Sequence, residues 1–350
     1  MAASKKPRKS KTAKPTKRRR GAATRKRPDA RRRAGGELRL LADIGGTTVR
    51  FALQRRGRNP SSLLRVACAD FRRFEDALDD FLAECGERPD AAGLAVAAIQ
   101  GSDRIAMTNN PWEFSARALR RRYGFKRLEI VNDFAALARS VPKLRGTDIR
   151  AVGGGKAVAG ESVAVIGPGT GLGVAGLVPA APPILISGEG GHVTLAPAND
   201  RESEILGVLR KRFGHVSAER VLSGPGLVNL FAAICALEGE EAPRATAPGI
   251  VRRALDGSSA FCAEALAVFC AMLGTAAADA ALTLGARGGV FIGGGIVPKL
   301  GDFFAASPFR RRFESKGRFS GYLAAIPTFV IARDDAALLG LAALLDDGPR

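Results

Sequence analysis

The sequence lacks the long apolar segments that mark membrane-spanning and exported proteins. No apolar run reaches the roughly 18 to 20 residues that a helix needs to cross a bilayer. The basic N-terminus has no apolar stretch behind it, as a secretory signal would require. We therefore expect neither a membrane span nor a secretory signal, whereas a hydrophobic content of 46% is ample for a folded core.

Cysteine and histidine are scarce, and their spacing gives no metal-binding pattern. No two cysteines form a C-x-x-C pair, so a local metal knuckle is not expected. Unpaired thiols fit a reducing cytoplasm best. The two histidines are His192, in a Glu-Gly-Gly-His segment that suggests a site, and His215, which we interpret as structural. The cysteines are Cys68, Cys85, Cys235, Cys262 and Cys270.

Two common nucleotide-binding motifs are also missing. The sequence has no G-x-x-x-x-G-K-[ST], which excludes a P-loop protein. The segment Gly167–Gly173 is rich in glycine, but Leu172 interrupts the dinucleotide-binding pattern and strand-like residues follow it instead of a helix. A Rossmann fingerprint therefore fails in spacing and in context.

Acidic residues are nearly absent from residues 1–37, which form a basic tail. Residues 1–36 hold 16 Lys and Arg against the single acid Asp29, within a net charge of +20 for the whole chain. Such a segment has little to bury and is expected to be disordered. It could contact polyanions nonspecifically, be a solvated extension, or precede the true start of the protein. No helix-turn-helix pattern or interleaved aromatic residue suggests a sequence-reading DNA domain.

Two glycine-bearing hairpins stand out in the remainder. Apolar strands at 38–44 and 48–53 flank the turn Asp43–Thr47, and strands at 162–166 and 174–178 flank the turn Gly167–Gly173. Glycines let backbone N–H groups approach an anion, so paired turns of this kind favour phosphate binding over simple chain reversal. Thr47 and Thr170 add hydroxyl donors, and Asp43 could hold a hydrated Mg²⁺. Strands alternate with helices elsewhere, which predicts an α/β protein of two domains.

Further polar residues follow predicted strands or turns. Asn132 and Asp133 end the strand 128–131, where they could cap the next helix or orient an attacking hydroxyl group. Glu219 could be a surface acid near a helix or a ligand for a polar substrate. Carboxylates and amides suit the hydroxyl groups of a sugar, which both donate and accept hydrogen bonds.

From Leu38 onward the chain resembles bacterial glucokinases, a branch of the actin-like, ribonuclease-H-like ATPases. The matching segments occur in the family's order and spacing over roughly nine-tenths of the chain. The segments are Asp43–Thr47, Ala106–Asn109, Val131–Phe134, Gly167–Gly173, Ser187–His192, Gly214–Gly226 and Gly289–Pro298.

The resemblance implies two such domains around a central cleft, residues 38–143 with 333–350 and residues 144–332, and a homodimer. It also implies MgATP-dependent phosphorylation of D-glucose at its 6-hydroxyl, with Asp133 as general base. The implied sugar ligands are Asn109, Asn132, Asp133, Glu189, His192 and Glu219. The implied nucleotide-binding residues are Ala42, Asp43, Ile44, Gly45, Gly46, Thr47, Gly169, Thr170, Gly171, Gly293, Gly294 and Gly295.

The chain departs from the family pattern at two places. Thr48 follows Thr47 where relatives have asparagine, and residues 97–103 lack the usual proline and have a shifted glycine. The second departure concerns the sugar side of the site, so it leaves open a kinase of mannose or of an N-acetyl amino sugar. A sugar-responsive regulator acting through the basic tail is a further alternative, against which the retained Asp133 and both glycine turns argue.

Overall fold

The computed structural model describes residues 36–97, 102–107 and 110–348. Most of the tail, Asn109 and much of the segment 97–103 therefore lie outside the described residues. The strands are β1 (Leu38–Ile44), β2 (Thr48–Arg55), β3 (Ser61–Ala67), β4 (Ala91–Val96), β5 (Arg104–Ala106), β6 (Glu113–Ser115), β7 (Arg127–Asn132), β8 (Ile149–Ala151), β9 (Val163–Pro168), β10 (Leu172–Val178), β11 (Ile184–Gly188), β12 (Val290–Ile292) and β13 (Thr328–Ile331).

The helices alternate with these strands, which confirms the predicted α/β class. The helices are α1 (Phe74–Cys85), α2 (Ala116–Tyr123), α3 (Asp133–Ser140), α4 (Asp200–Phe213), α5 (Gly224–Leu237), α6 (Ala247–Leu255), α7 (Ala260–Leu284), α8 (Asp302–Ala306), α9 (Phe309–Glu314), α10 (Ser320–Ala324) and α11 (Ala336–Asp346).

Two mixed sheets repeat one topology. The first has the order β3-β2-β1-β4-β7, with β1, β2 and β3 antiparallel and β1, β4 and β7 parallel. The second has the order β11-β10-β9-β12-β13-β8, in which β9, β10 and β11 are antiparallel and β9, β12 and β13 parallel. Each sheet thus begins with a hairpin whose turn carries glycines, as the sequence predicts.

Each sheet has its own apolar core. Phe51, Phe74 and Phe81 pack together beneath the first sheet, with the rings of Phe51 and Phe81 stacked 5.1 Å apart. The core of the second sheet is larger and includes α5 and α7. Ser259 caps the alanine-rich α7 at its N-terminus, and Gly285 ends it in the left-handed conformation that glycine adopts at low cost.

By length and composition alone α7 is apolar enough to cross a membrane, contrary to the expectation that no segment would be. Its most apolar window is 67% buried inside the protein, as in the core helix of a water-soluble fold. The reason for the difference is that Glu264 and Asp279 interrupt the run of apolar residues without lowering its average hydropathy below that of a span.

The helices α3 and α11 cross closely and join the site to the C-terminus. A Cβ atom at Gly340 would lie 1.7 Å from the carbonyl oxygen of Ala136, so only glycine permits this crossing. Buried Arg39 donates from Nη1 to Asp346 at 2.7 Å at the C-terminal end of α11. Arg139 of α3 pairs with Asp347 at 2.6 Å. These contacts fix α3, whose first residue is Asp133.

Candidate functional site

The turn between β1 and β2 presents backbone donors. Ala97 donates its N–H to the carbonyl of Ile44 at 3.3 Å, and Cys68 donates its N–H to Thr47 at 2.9 Å. Among the described residues, no acceptor is bonded to the N–H of Gly46 or Thr47. The carbonyl groups therefore face protein partners, while two N–H groups remain for an anion.

Asp43 stands just before this turn and is paired across the hairpin. The β1–β2 register sets Asp43 opposite Arg50, and Oδ2 of the carboxylate accepts from Nη1 of Arg50 at 2.8 Å. The Asp43 side chain is 12% exposed. Burial raises its pKa, and the positive charges of Arg50 and Arg65 oppose that rise. Arg50 was not among the predicted site residues, although the hairpin register would have indicated it.

The turn between β9 and β10 also presents backbone donors. Gly169 donates its N–H to Gly171 at 2.7 Å, and Gly224 donates to the carbonyl of Gly169 at 2.8 Å. Within the described part of the chain, the N–H groups of Thr170 and Gly171 have no bonded acceptor. The Thr170 side chain is exposed. In each of the two glycine turns, two backbone N–H groups are therefore available to an acceptor.

The third glycine segment, Gly293–Gly295, lies directly against the second turn. A Cβ atom at Gly167 would come within 2.5 Å of the Gly293 carbonyl carbon. At Gly294, whose φ is +81°, a Cβ would lie 2.3 Å from the carbonyl oxygen of Pro168. Only glycines allow two backbones this close together.

Asn132 and Asp133 are at the end of β7, where α3 begins. Oδ1 of Asn132 accepts from the N–H groups of Phe134 at 2.9 Å and Ala135 at 3.2 Å, so Asn132 caps the helix. Asp133 accepts from the N–H of Phe134 at 2.9 Å. The ring of Phe134 occupies the space that a Cβ at Gly173 would need, 1.8 Å away, and this contact fixes the start of α3 against β10.

The Asp133 carboxyl group has a raised pKa, about 7. Burial is the largest cause, because it disfavours the charged form. The negative charge of Asp43 raises the pKa further, and that of Glu189 adds to it, while the N–H of Phe134 lowers it. The two sheets therefore bring Asp43, Asp133 and Glu189 close enough to interact electrostatically.

Glu189 and His192 belong to a short turn that follows β11. Their side chains are each 57% exposed, with Nε2 of His192 4.0 Å from Oε2 of Glu189. A Cβ at Gly191 would lie 2.2 Å from the carbonyl oxygen of Leu172, so this turn packs on β10. His215 instead bonds the hydroxyl of Thr194 at 2.9 Å through Nε2, consistent with a structural role.

Glu219 contacts the second turn directly. Its Oε2 accepts from the N–H of Leu172 at 2.8 Å, and a Cβ at Gly171 would lie 2.3 Å from the same oxygen. The residues predicted for sugar and for phosphate are therefore joined at this point by a hydrogen bond that the sequence does not reveal.

Comparison with known proteins agrees with the resemblance seen in the sequence. The family model described as Glucokinase matches residues 40–348. A glucokinase of Aromatoleum aromaticum is 52% identical over 316 residues, covering 88% of this chain and 95% of the relative. A glucokinase of Paramagnetospirillum magneticum is 49% identical, covering 89% of this chain and 98% of the relative.

Solved structures give the same result. A crystal structure of glucokinase from an Antarctic psychrotroph is 37% identical, covers 89% of this chain and 99% of that chain, and superposes with a TM-score of 0.80. A Balamuthia mandrillaris glucokinase in complex with glucose, 20% identical, shares the fold with a TM-score of 0.76 over 91% of this chain and 96% of that chain. The predicted family is thereby confirmed, and the chain belongs to the glucokinase family.

Proposed function

We propose that the protein transfers the γ-phosphoryl group of ATP to the 6-hydroxyl of D-glucose, giving glucose 6-phosphate and ADP, with Asp133 as the general base. Membership of the glucokinase family supports the reaction. The observation that carries the role of Asp133 is its partly buried carboxyl group, whose pKa is raised to about 7 by burial and by the charges of Asp43 and Glu189. A base is most effective when its pKa lies near the operating pH.

The triphosphate would lie between the two glycine turns. Gly46 and Thr47 on one side and Thr170 and Gly171 on the other offer unbonded N–H groups, which suit phosphate oxygens. Gly293–Gly295, packed on the second turn, would line the nucleotide toward its adenosine end. Phosphoryl transfer depends mainly on positioning and charge stabilisation, which such a clamp supplies.

The residues present also fit a magnesium ion that is bound mainly by ATP. No cluster of three or more potential metal ligands occurs among the described residues, so direct protein ligation is not part of the proposal. Arg50 engages Oδ2 of Asp43, which leaves Oδ1 for a water molecule on the ion. When bound, Mg²⁺ supplies charge neutralisation to the phosphoryl group. Asp43 would orient the hydrated ion and Asp133 would accept the proton of the 6-hydroxyl.

The remaining hydroxyl groups of glucose would be held by Asn109, Asn132, Glu189, His192 and Glu219. Glu189 and His192 are more than half exposed, so they are accessible to a sugar. Asn132 and Glu219 each use one oxygen for a backbone N–H, and the other side-chain polar atom remains for the substrate. A sugar that lacks one of these hydroxyl groups would leave a polar group of the site unpaired and would bind more weakly. This loss of affinity would give the site its selectivity among sugars.

Three further proposals concern the whole protein. The packing of α11 on α3, β1 and β4 supports assigning 333–350 to the same domain as 38–143, with 144–332 as the other domain. Unpaired cysteines among the described residues support a cytoplasmic location. The homodimer and the nonspecific contact of the basic residues 1–37 with polyanions stay predictions, to be checked by sedimentation and by salt-dependent binding.

The proposed function is tested by an assay of sugar-phosphate formation with glucose, mannose and N-acetylglucosamine, each with ATP, ADP or polyphosphate as donor. We expect ATP and glucose to give the highest kcat/KM. Asp133→Asn should lower kcat by about 10²- to 10⁴-fold and leave the fold and glucose binding largely intact. A higher kcat/KM with another hexose would refute glucose as the substrate, and near-normal turnover of Asp133→Asn would refute the base.

A further inference from the structure

Asn110 is anchored to the core of the first sheet. Its Oδ1 accepts from the N–H of Trp112 at 2.8 Å. Trp112 is 2% exposed, and its indole Nε1 donates to the carbonyl of Phe71 at 3.2 Å. The backbone of Met107 closes the segment by donating to the carbonyl of Trp112 at 3.1 Å. The Asn110 side chain is therefore held in a fixed orientation from one side.

From its other side, Asn110 reaches the first glycine turn. Nδ2 donates to the carbonyl oxygen of Gly45 at 3.2 Å and lies 3.9 Å from Sγ of Cys68. The Cys68 thiol lies 3.6 Å from the same carbonyl and is the weaker partner. The turn is thus bonded to a segment 65 residues away in the sequence.

The carbonyl of Gly45 and the N–H of Gly46 belong to one planar peptide unit, in which the two groups point in opposite directions. A bond that fixes the carbonyl therefore fixes the N–H that is proposed to face phosphate. Glycine on both sides of this peptide leaves its plane freer to rotate than other residues would. An external hydrogen bond is accordingly needed to hold it in one orientation.

We infer that Asn110 is a positioning residue for phosphoryl transfer: it orients the Gly45–Gly46 peptide so that the Gly46 N–H faces the triphosphate. The inference rests on the proposed function. Asn110 itself touches neither substrate in this assignment.

Two substitutions at Asn110 separate its hydrogen bond to Gly45 from its other contacts. Asn110→Ser keeps an oxygen that can accept from the N–H of residue 112 but is too short to reach Gly45. Asn110→Asp keeps the shape and the acceptor, replaces the donor with an oxygen, and adds a negative charge. Asn199→Ser is the matched control, because it makes the same chemical change at the N-cap of α4, where serine caps as well as asparagine.

We expect Asn110→Ser to raise KM for ATP about two- to tenfold, the loss typical of one hydrogen bond, with a smaller change in KM for glucose and a melting temperature close to that of the wild type. Asn110→Asp should be worse in KM for ATP, and Asn199→Ser should equal the wild type. If either Asn110→Ser or Asn110→Asp left KM for ATP unchanged, the inference would be overturned.

Amide hydrogen exchange of the substrate-free protein gives a readout that needs no catalysis. Residues 44–48 should exchange faster in Asn110→Ser than in the wild type, with no change at 163–173. If the wild type proves inactive on every sugar while this difference appears, the proposed function falls, and only the anchoring of the Gly45–Gly46 peptide by Asn110 stands. If the wild type is active and exchange at 44–48 is unchanged in both Asn110 variants, the positioning role falls alone.

Discussion

The two glycine turns, for which we propose a shared task of binding phosphate, are built differently. The first, at 45–47, is held by hydrogen bonds from neighbouring segments. Among the described residues, the nearest atom to a Cβ at Gly45 would be the carbonyl oxygen of Thr48 at 3.3 Å. The second is held by hydrogen bonds with Gly224 and Glu219 and, in addition, by close packing. Cβ atoms at Gly171 and Gly173 would lie 2.3 Å from Glu219 and 1.8 Å from Phe134.

This difference indicates that glycine serves a different purpose in each of the two turns. In the first turn, glycine keeps space free for a ligand and leaves the peptide planes to be set by outside donors such as Asn110. In the second, glycine lets α3, Glu219 and the segment 293–295 approach the hairpin itself. Substitutions in the second turn should therefore damage the fold and the site together, whereas those in the first should affect the site alone.

The largest effect is expected for Gly173→Ala. The new methyl group would collide with the ring of Phe134 and push the start of α3, and with it Asp133, away from β10. Overpacking of this kind typically costs about 1–3 kcal/mol of the free energy of unfolding, and turnover should fall more than tenfold because a base must lie within hydrogen-bond reach of its proton.

Chemical denaturation and steady-state kinetics on the same preparation would measure both losses for Gly173→Ala. Gly207→Ala is the control, since no atom of residues 36–97, 102–107 and 110–348 outside α4 itself is found within 4 Å of a Cβ there, and alanine favours the helix α4. If Gly173→Ala is as stable and active as that control, packing does not hold the second turn.

The local features of the site could be predicted from sequence because they depend on local patterns. Both hairpins are predictable because apolar strands flank glycine turns in the sequence. Asp133 can be picked out as a candidate site residue because it directly follows a strand. The double use of Asn132, as a helix cap and as a proposed ligand, was also foreseeable from its position before α3.

The contacts between distant segments could not be predicted in this way. Nothing in the sequence around Gly173 indicates that the ring of Phe134 occupies the space that a side chain at position 173 would need. The contact depends on how α3 lies on the second sheet. The same holds for the bond of Glu219 to the N–H of Leu172 and for that of Asn110 to Gly45. The two bonds join residues that are 47 and 65 positions apart in the sequence.

Gly45→Ala, in the first turn, should change stability and activity less than Gly173→Ala does. The methyl group fits with a shift of a few tenths of an ångström against Thr48, so the free energy of unfolding should stay within about 0.5 kcal/mol of the wild type. KM for ATP should rise several-fold, because the Cβ intrudes where phosphate approaches. A loss of stability as large as that of Gly173→Ala would show that both turns are held by packing.

The pH profile tests how the two regions together tune Asp133. With a pKa of about 7, the base is protonated below neutrality, so kcat/KM should fall about tenfold per pH unit there. Because this pKa lies above the ordinary value of 3.8, the contribution of Asp133 to stability is full below about pH 4 and is lost as the pH rises through 7. Activity and stability therefore change in opposite directions across that window.

The smallest expected effects are shifts of the pH profile, which should distinguish the two negative charges that raise the pKa of Asp133. Replacing Asp43, from the first turn, or Glu189, from beside the second, removes a negative charge that raises the pKa of Asp133. Asp43→Asn and Glu189→Gln should both move the acid limb of kcat/KM to lower pH, whatever residual rate each retains, and Asp43→Asn should move it further because its charge acts more strongly. Equal shifts would contradict the stronger effect of Asp43, and a larger shift for Glu189→Gln would mean that the second region dominates the electrostatics of the base. An unmoved limb in both variants would show that the pKa of Asp133 is set by burial alone.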